Sequence, residues 1–206
     1  MIKEYKTWPL CAQTITIIIP VFTIMTLISI ILFGNTFSFV EHHMSTLGTQ
    51  RWNPRGFLFF DIACIITGIL LFPYFYGTKE WKTDSKFFNV FLYIFIGIGF
   101  VASFGIIMQA IFRGDFKPWH RIFSAVHWVA NFFFLAIAPI PLWKHKKYYR
   151  SITVICIIAT IFNFIYVITA GEYPWIEWIT AATSFIFGAL IARNMVKEGI
   201  PSPTKN

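Results

Sequence analysis

The sequence predicts an all-α, polytopic transmembrane bundle of six helices, and three observations carry that prediction. Apolar residues make up 57% of the chain and charged residues only 13%, with a mean hydropathy of +0.65, a balance that suits lipid as the main solvent. Six stretches are long and apolar enough to cross a hydrocarbon core of about 30 Å, which takes about 20 helical residues. These stretches are apolar on every side, whereas a membrane-barrel strand alternates with a period of two, so helices are expected and strands are not.

The first span covers residues 10–33. Its apolar run exceeds that of a signal peptide and no small-x-small cleavage site follows Phe33, so it is expected to remain as the first helix. Pro20 should kink it by freeing the Thr16 carbonyl. The second span covers 56–76, and Asn53 before Pro54 marks its start, because Asn caps free amides and Pro at the first helical position loses no needed bond. On that reading Asp61 lies about two turns inside the helix. The third span, 87–112, carries Gly99 and Ser103 at helical spacing, and the sixth, 175–195, carries Ser184 and Gly188; both pairs permit close helix approach. The fourth and fifth spans cover 122–143 and 152–170. Six helices leave little soluble mass, so residues 1–206 are expected to form one domain. Trp8, Trp52, Trp81, Trp119, Trp143, Trp175 and Trp178 fall near predicted helix ends, where amphipathic rings prefer the interface. Cys11, Cys64 and Cys156 all fall within spans, where cysteine acts as a small hydrophobe and leaves the redox compartment open.

The net charge of +8 does not imply nucleic acid, because the cations form no groove with interleaved stacking groups and sit instead beside the spans. Lys3, Lys6, Lys79, Lys82, Lys86, Lys144, Lys146, Lys147, Arg150, Arg193, Lys197 and Lys205 make twelve on the tails and even-numbered loops. Arg51, Arg55, Arg113, Lys117 and Arg121 make five on the odd-numbered loops. Short cytoplasmic loops carry the Lys/Arg excess, so both termini are expected in the cytoplasm and loops one, three and five outside. The expected location is a cell membrane, and the Ile- and Lys-leaning composition associates with prokaryotes.

Polar chemistry gathers on the outward side. Asp61 inside a span is expensive and so is a functional candidate, with pairing to Arg121, Arg55 or a histidine as the structural reading of equal weight. His120, Ser124, His127 and Asn131 are spaced four, three and four apart, which puts all four on one helix face running into the membrane. Ser45 and Asn53 lie in loop one, and Glu172 and Glu177 flank Pro174 in a loop without cations. Zinc is the cofactor that imidazole and carboxylate donors would suit, with His42, His43, His127 and Asp61 as the candidates. Spacing opposes a simple site: His120 and His127 differ by about 10 Å in height along a helix, and adjacent His42 and His43 diverge. No short motif marks Ser45 or Ser124 as an activated nucleophile, and no catalytic residue is assigned.

Ser45-Thr46-Leu47-Gly48, Asn53-Pro54 with Phe60, the run from Gly105 to Phe112, and His127 followed by Phe132-Phe133 together resemble a family of six-helix membrane proteins, domain-of-unknown-function family 998. The plan is also similar to the wider group of autophagy modulators and GPI-anchor-remodelling membrane proteins, a likeness that implies lipid handling. Alkaline-ceramidase and progestin-receptor-like hydrolases offer a second comparison, with a serine, an aspartate and three histidines around zinc. This chain departs from them: it has six spans rather than seven, no His-x-x-x-His in its last span, and no histidine after His145.

The leading expectation is therefore a protein whose outward pocket binds lipid headgroups or a membrane partner. Asp61, His127, Asn131 and Ser45 would supply hydrogen bonds, with Asn53, His120, Ser124, Glu172 and Glu177 around them, while Arg51, Arg55 and Arg121 would meet phosphate. A metal-dependent lipid hydrolase or transferase, with Asp61 or a glutamate as base, and an accessory subunit of a larger membrane complex are the alternatives. A transporter is disfavoured, since the halves show no repeat.

Overall fold

The computed structural model describes residues 5, 7–34, 36–169 and 171–200. Lys3, Lys6 and Lys205 of the charge count, and Ala170 at the expected end of the fifth span, lie outside the described residues. In lipid only internal hydrogen bonds satisfy the backbone, and a helix satisfies it within one segment, so each apolar run becomes a helix. These are α1 (Leu10–Phe33), α2 (Phe57–Gly77), α3 (Lys86–Ile111), α4 (Lys117–Ile137), α5 (Ile152–Ile168) and α6 (Pro174–Lys197). Pro139–Trp143 continues α4, and short 3-10 helices form at Met44–Gly48 and Thr78–Trp81. Among the described residues there is no strand. α1, α2, α3, α6, and α4 with its continuation, are long and apolar enough to cross a membrane; α5 is shorter, at 17 residues. The chain is a multi-pass membrane protein, and its outer surface agrees: Ile31 is 74% and Ile168 62% exposed, which suits acyl chains and not water.

Two helix starts differ from the sequence reading. α4 begins at Lys117 rather than at 122, with Pro118 in its first turn, where proline's fixed φ suits a helix start but polar neighbours break the apolar run. Asn53 does not cap α2: its side-chain oxygen accepts the Gly56 N–H at 3.0 Å, and the helix starts only at Phe57. Asp61 consequently lies about one turn inside α2, not two. α1 runs unbroken through Pro20.

Consecutive helices pack against one another, and α6 closes back on α1, so the six form a ring in chain order with neighbours antiparallel across short connections. Glycines set the tightest approaches. A Cβ on Gly99 would stand 2.3 Å from the Phe75 ring, one on Gly68 2.9 Å from the Ser103 carbonyl, and one on Gly105 2.8 Å from the His127 backbone. α3 thus interlocks with α2 on one side and α4 on the other. On the far side of the ring, Tyr74 on α2 donates its hydroxyl to the Gly188 carbonyl of α6 at 3.1 Å. Each of these closely packed backbones excludes lipid from the ring.

The two ends differ in chemistry. At the basic end, Trp81 is buried against His145 and Tyr148, at ring separations of 4.9 and 5.7 Å. Burial, and then Lys147, hold His145 below the usual histidine range. Asn194 clamps the loop before α5, accepting the Tyr149 N–H at 2.8 Å and donating to the Lys147 carbonyl at 2.9 Å. At the first-loop end, Met44 and Leu47 insert their side chains into a core cluster with Phe22, Phe60, Cys64 and Ile106. Replacing Gly105 with Val should separate α3 from α4 and cost about 1–3 kcal/mol. Gly97→Ala, where a Cβ meets nothing within 4 Å, should leave stability within about 0.5 kcal/mol of wild type. Thermal unfolding of both variants in detergent checks the difference.

Candidate functional site

The first-loop end is organised by how its 3-10 helix is held. Glu177, only 3% exposed and in the first turn of α6, accepts the Met44 N–H at 2.9 Å and stands 3.2 Å from His43 Nδ1. Its neighbour Trp178 donates to the His42 carbonyl at 3.0 Å. The His42 ring packs on Phe33 and Phe37, and its Nδ1 accepts the Ser38 N–H. On the other side of the 3-10 helix, the fully buried Asn53 donates its amide to Ser29 Oγ at 2.9 Å, to the Ser29 carbonyl at 3.2 Å and to the Leu47 carbonyl at 3.0 Å. Gly56 is required beneath it, since a Cβ there would approach the Ser29 carbonyl to 2.7 Å. Glu177 and Asn53 are therefore fasteners of the loop.

The predicted polar stripe of α4 faces α3, where most of its bonds are made. A helix leaves its last carbonyls without partners, and His120 Nδ1 fills that need at the end of α3, lying 3.0 Å from the Gln109 carbonyl and 3.0 Å from that of Phe112. Ser124 donates to Gln109 Oε1 at 3.0 Å. One turn deeper His127 Nδ1 lies 2.8 Å from the Ala102 carbonyl. Carbonyl oxygens only accept, so Nδ1 carries a proton in both histidines, and Nε2 is the acceptor of the corresponding neutral tautomer. Asn131 turns away from α3 and donates to Ser184 of α6 at 3.2 Å.

Asp61 pairs with a residue the sequence reading had not offered it. Arg113 Nη1 lies 4.0 Å from Asp61 Oδ2, and Arg113 Nε lies 3.5 Å from Asp115, while the guanidinium covers the Phe57 ring at 4.6 Å. Asp115 in turn accepts the Gln50 and Arg51 N–H groups. Gly48 makes room for the Asp61 carboxylate, which a Cβ there would meet at 2.5 Å. Arg55 is exposed, and exposed Arg51 lies over Trp52 at 5.9 Å; neither lines the clefts of this end. Glu172 is exposed and stands apart from them as well. His42, His43, His127 and Asp61 are each held in a different place, and among the described residues no three His, Cys, Asp or Glu side chains could hold a metal ion together. The donor set does not fit zinc.

Ser45 remains. It lines a cleft of about 630 Å³ with His43, His120, Arg121, Ser124 and Tyr166. It also lines an adjoining cleft of about 320 Å³ with Thr46, Thr49, Lys117, His120 and Arg121, and a cavity of about 80 Å³ at the centre of the ring, reached by His127 and Asn131. Its hydroxyl has no hydrogen-bond partner among the described residues. The structure thus brings Ser45, His120, Ser124 and Arg121 together, and separates them from Arg51, Arg55 and Glu172. Sequence reasoning missed Gln109, Lys117, Thr46 and Thr49 as members of this group. Gln109 carried a signal, being the lone amide in the outer half of an apolar run; the others stand in polar segments where nothing distinguished them.

Asn53→Ala should destabilise the protein by about 2–4 kcal/mol, because it leaves buried Ser29 and Leu47 groups unpaired at about 1–3 kcal/mol each. Thermal unfolding in detergent alongside Arg55→Ala, expected to be near neutral, checks this. No curated protein and no solved structure matches the chain. The profile of the family described as "Protein of unknown function (DUF998)" matches residues 16–194, and the chain belongs to that family.

Proposed function

We propose that this protein binds anionic lipid at its first-loop end, and that the two clefts meeting at Ser45 and His120 receive the headgroup. The observation supporting this is the convergence of two cations, Lys117 and Arg121, with the Ser45, Thr46 and Thr49 side chains and the His120 ring on adjoining open clefts. The first turn of α4 adds its positive dipole end. Val129 and Val167 continue the larger cleft toward the apolar zone, which gives an amphiphile both a polar and an apolar wall. Arg121 is the cation suited to a bidentate phosphate contact, and Lys117 supplies a point charge. Arg51 and Arg55 stand outside the clefts and contribute attraction at a distance.

The same reading places six spans in a plasma membrane. At 17 residues, α5 is about 25 Å long, at the lower limit of a spanning helix. Because cations dominate the opposite end, both termini face the cytoplasm and the clefts face outward.

Two measurements test these statements. In nanodiscs of phosphatidylglycerol and phosphatidylcholine, Lys117→Gln with Arg121→Gln should weaken retention of phosphatidylglycerol by about tenfold or more, since a charge-assisted hydrogen bond contributes about 1.5–3 kcal/mol. Unchanged retention by native mass spectrometry would remove the headgroup assignment. For topology, the three native cysteines are buried and should stay silent to an impermeant maleimide. A cysteine at Trp52 should label in intact cells, and one at Lys146 only after permeabilisation.

A further inference from the structure

The cavity at the centre of the ring plays no part in the headgroup reading, and its lining poses a separate question. It holds about 80 Å³, enclosed by Phe22, Phe60, Phe75, Phe134 and Phe185 among others, and no lysine or arginine lines it. Polar side chains from three helices also line it, among them Thr67 of α2, His127 and Asn131 of α4, and Ser184 of α6, which accepts from Asn131. Thr67 is fully buried, Asn131 is 4% and His127 8% exposed. Each carries an atom without a protein partner among the described residues. Thr67 Oγ1 is buried and unpaired. His127 Nε2 is a lone-pair acceptor, because Nδ1 is committed to the Ala102 carbonyl. Asn131 spends its amide nitrogen on Ser184, which leaves Oδ1.

We propose that this cavity is a water-binding site, occupied by ordered water held between His127 Nε2, Asn131 Oδ1 and Thr67 Oγ1. The volume exceeds the roughly 10–15 Å³ that a single water needs, and three convergent polar partners are what a buried water uses. Alternative occupants fit less well. An acyl chain fills the aromatic walls but leaves two acceptors and a hydroxyl unpaired in a low-dielectric interior, where that penalty is largest. A cation finds only Glu177, which already accepts the Met44 N–H and stands beside His43. An anion finds no positive charge. Water supplies the O–H donors that both unpaired acceptors lack and accepts from the threonine hydroxyl. Ser45 lines both this cavity and the outward clefts, so its hydroxyl stands at the junction through which water would enter.

Water-edited NMR of the full chain, labelled at histidine and reconstituted in lipid nanodiscs, tests the site directly. The expected result is a neutral His127 ring protonated on Nδ1, with strong magnetisation transfer from water to the ring. Asn131→Leu, which removes one acceptor and occupies the space, should cut that transfer several-fold. Thr67→Val, nearly isosteric, should reduce it by less and keeps the test available if the leucine variant does not fold. Lys117→Gln with Arg121→Gln, which tests the headgroup clefts, should leave it unchanged. Transfer from acyl-chain protons in place of water, no transfer in the wild type, or transfer unaffected by both cavity substitutions would overturn the proposal.

Discussion

Asn53 joins three segments through one buried amide: the Ser29 turn of α1, the Leu47 carbonyl of the 3-10 helix, and the Gly56 turn that leads into α2. The first-loop end depends on this joint. A loop resting on an apolar bundle has few places to satisfy its backbone, and a loop that failed to do so would be driven out to water. With Asn53 holding one side and Glu177 with Trp178 holding the other, Met44 and Leu47 can stay buried in the core. Met44 lines the central cavity, and Ser45 between the two is carried to the meeting point of the clefts.

The contact between α3 and α4 shows how one set of bonds both builds the fold and leaves chemistry over. His120 and His127 each spend one ring nitrogen on a backbone carbonyl of α3. Such bonds between membrane helices contribute modestly, about 0.6 kcal/mol on average, so close backbone approach at Gly105 is the larger part of the contact. What the bonds fix is orientation. A histidine whose Nδ1 is anchored presents Nε2 in a defined direction, which is how ring nitrogens are usually positioned for recognition. Packing and chemistry are therefore not alternatives for this stripe, because the structural bond creates the directed acceptor.

Much of this was legible in the sequence, and the rest failed for identifiable reasons. Helix positions could be read because lipid demands long apolar runs, and the stripe from His120 to Asn131 because helical spacing alone puts its members on one face. The start of α4 could not, since hydropathy is blind to a polar first turn that proline stabilises. Asn53 reads as a cap because Asn-Pro is a helix-start signal, but its oxygen closes the turn onto the Gly56 N–H before the helix begins at Phe57, and its amide reaches Ser29, 24 residues earlier, a distance no short motif encodes. The structural reading of Asp61 offered Arg121, Arg55 or a histidine as its partner, yet the ring places the end of α3 beside the start of α2, which makes Arg113 its neighbour. Pairing across a bundle is decided by helix order and depth, and neither is written in residue spacing.

A side chain already holding the fold is a poor witness for a ligand, and this consideration narrows the outward cluster. Asn53 is engaged by Ser29, Leu47 and Gly56, Glu177 holds the Met44 N–H beside His43, Asp61 stands 4.0 Å from Arg113, and Ser124 donates to Gln109. Their polarity is explained without any partner from outside. The Ser45 hydroxyl, His120 Nε2, and the exposed cations Lys117 and Arg121 have no counterpart among the described residues, and all four line the smaller of the two open clefts. Exposed cations alone would be unremarkable at a membrane surface. Beside a directed acceptor and a free hydroxyl, they form a set whose hydrogen-bonding capacity the protein itself does not use, and that unused capacity is the physical basis of the proposed headgroup site.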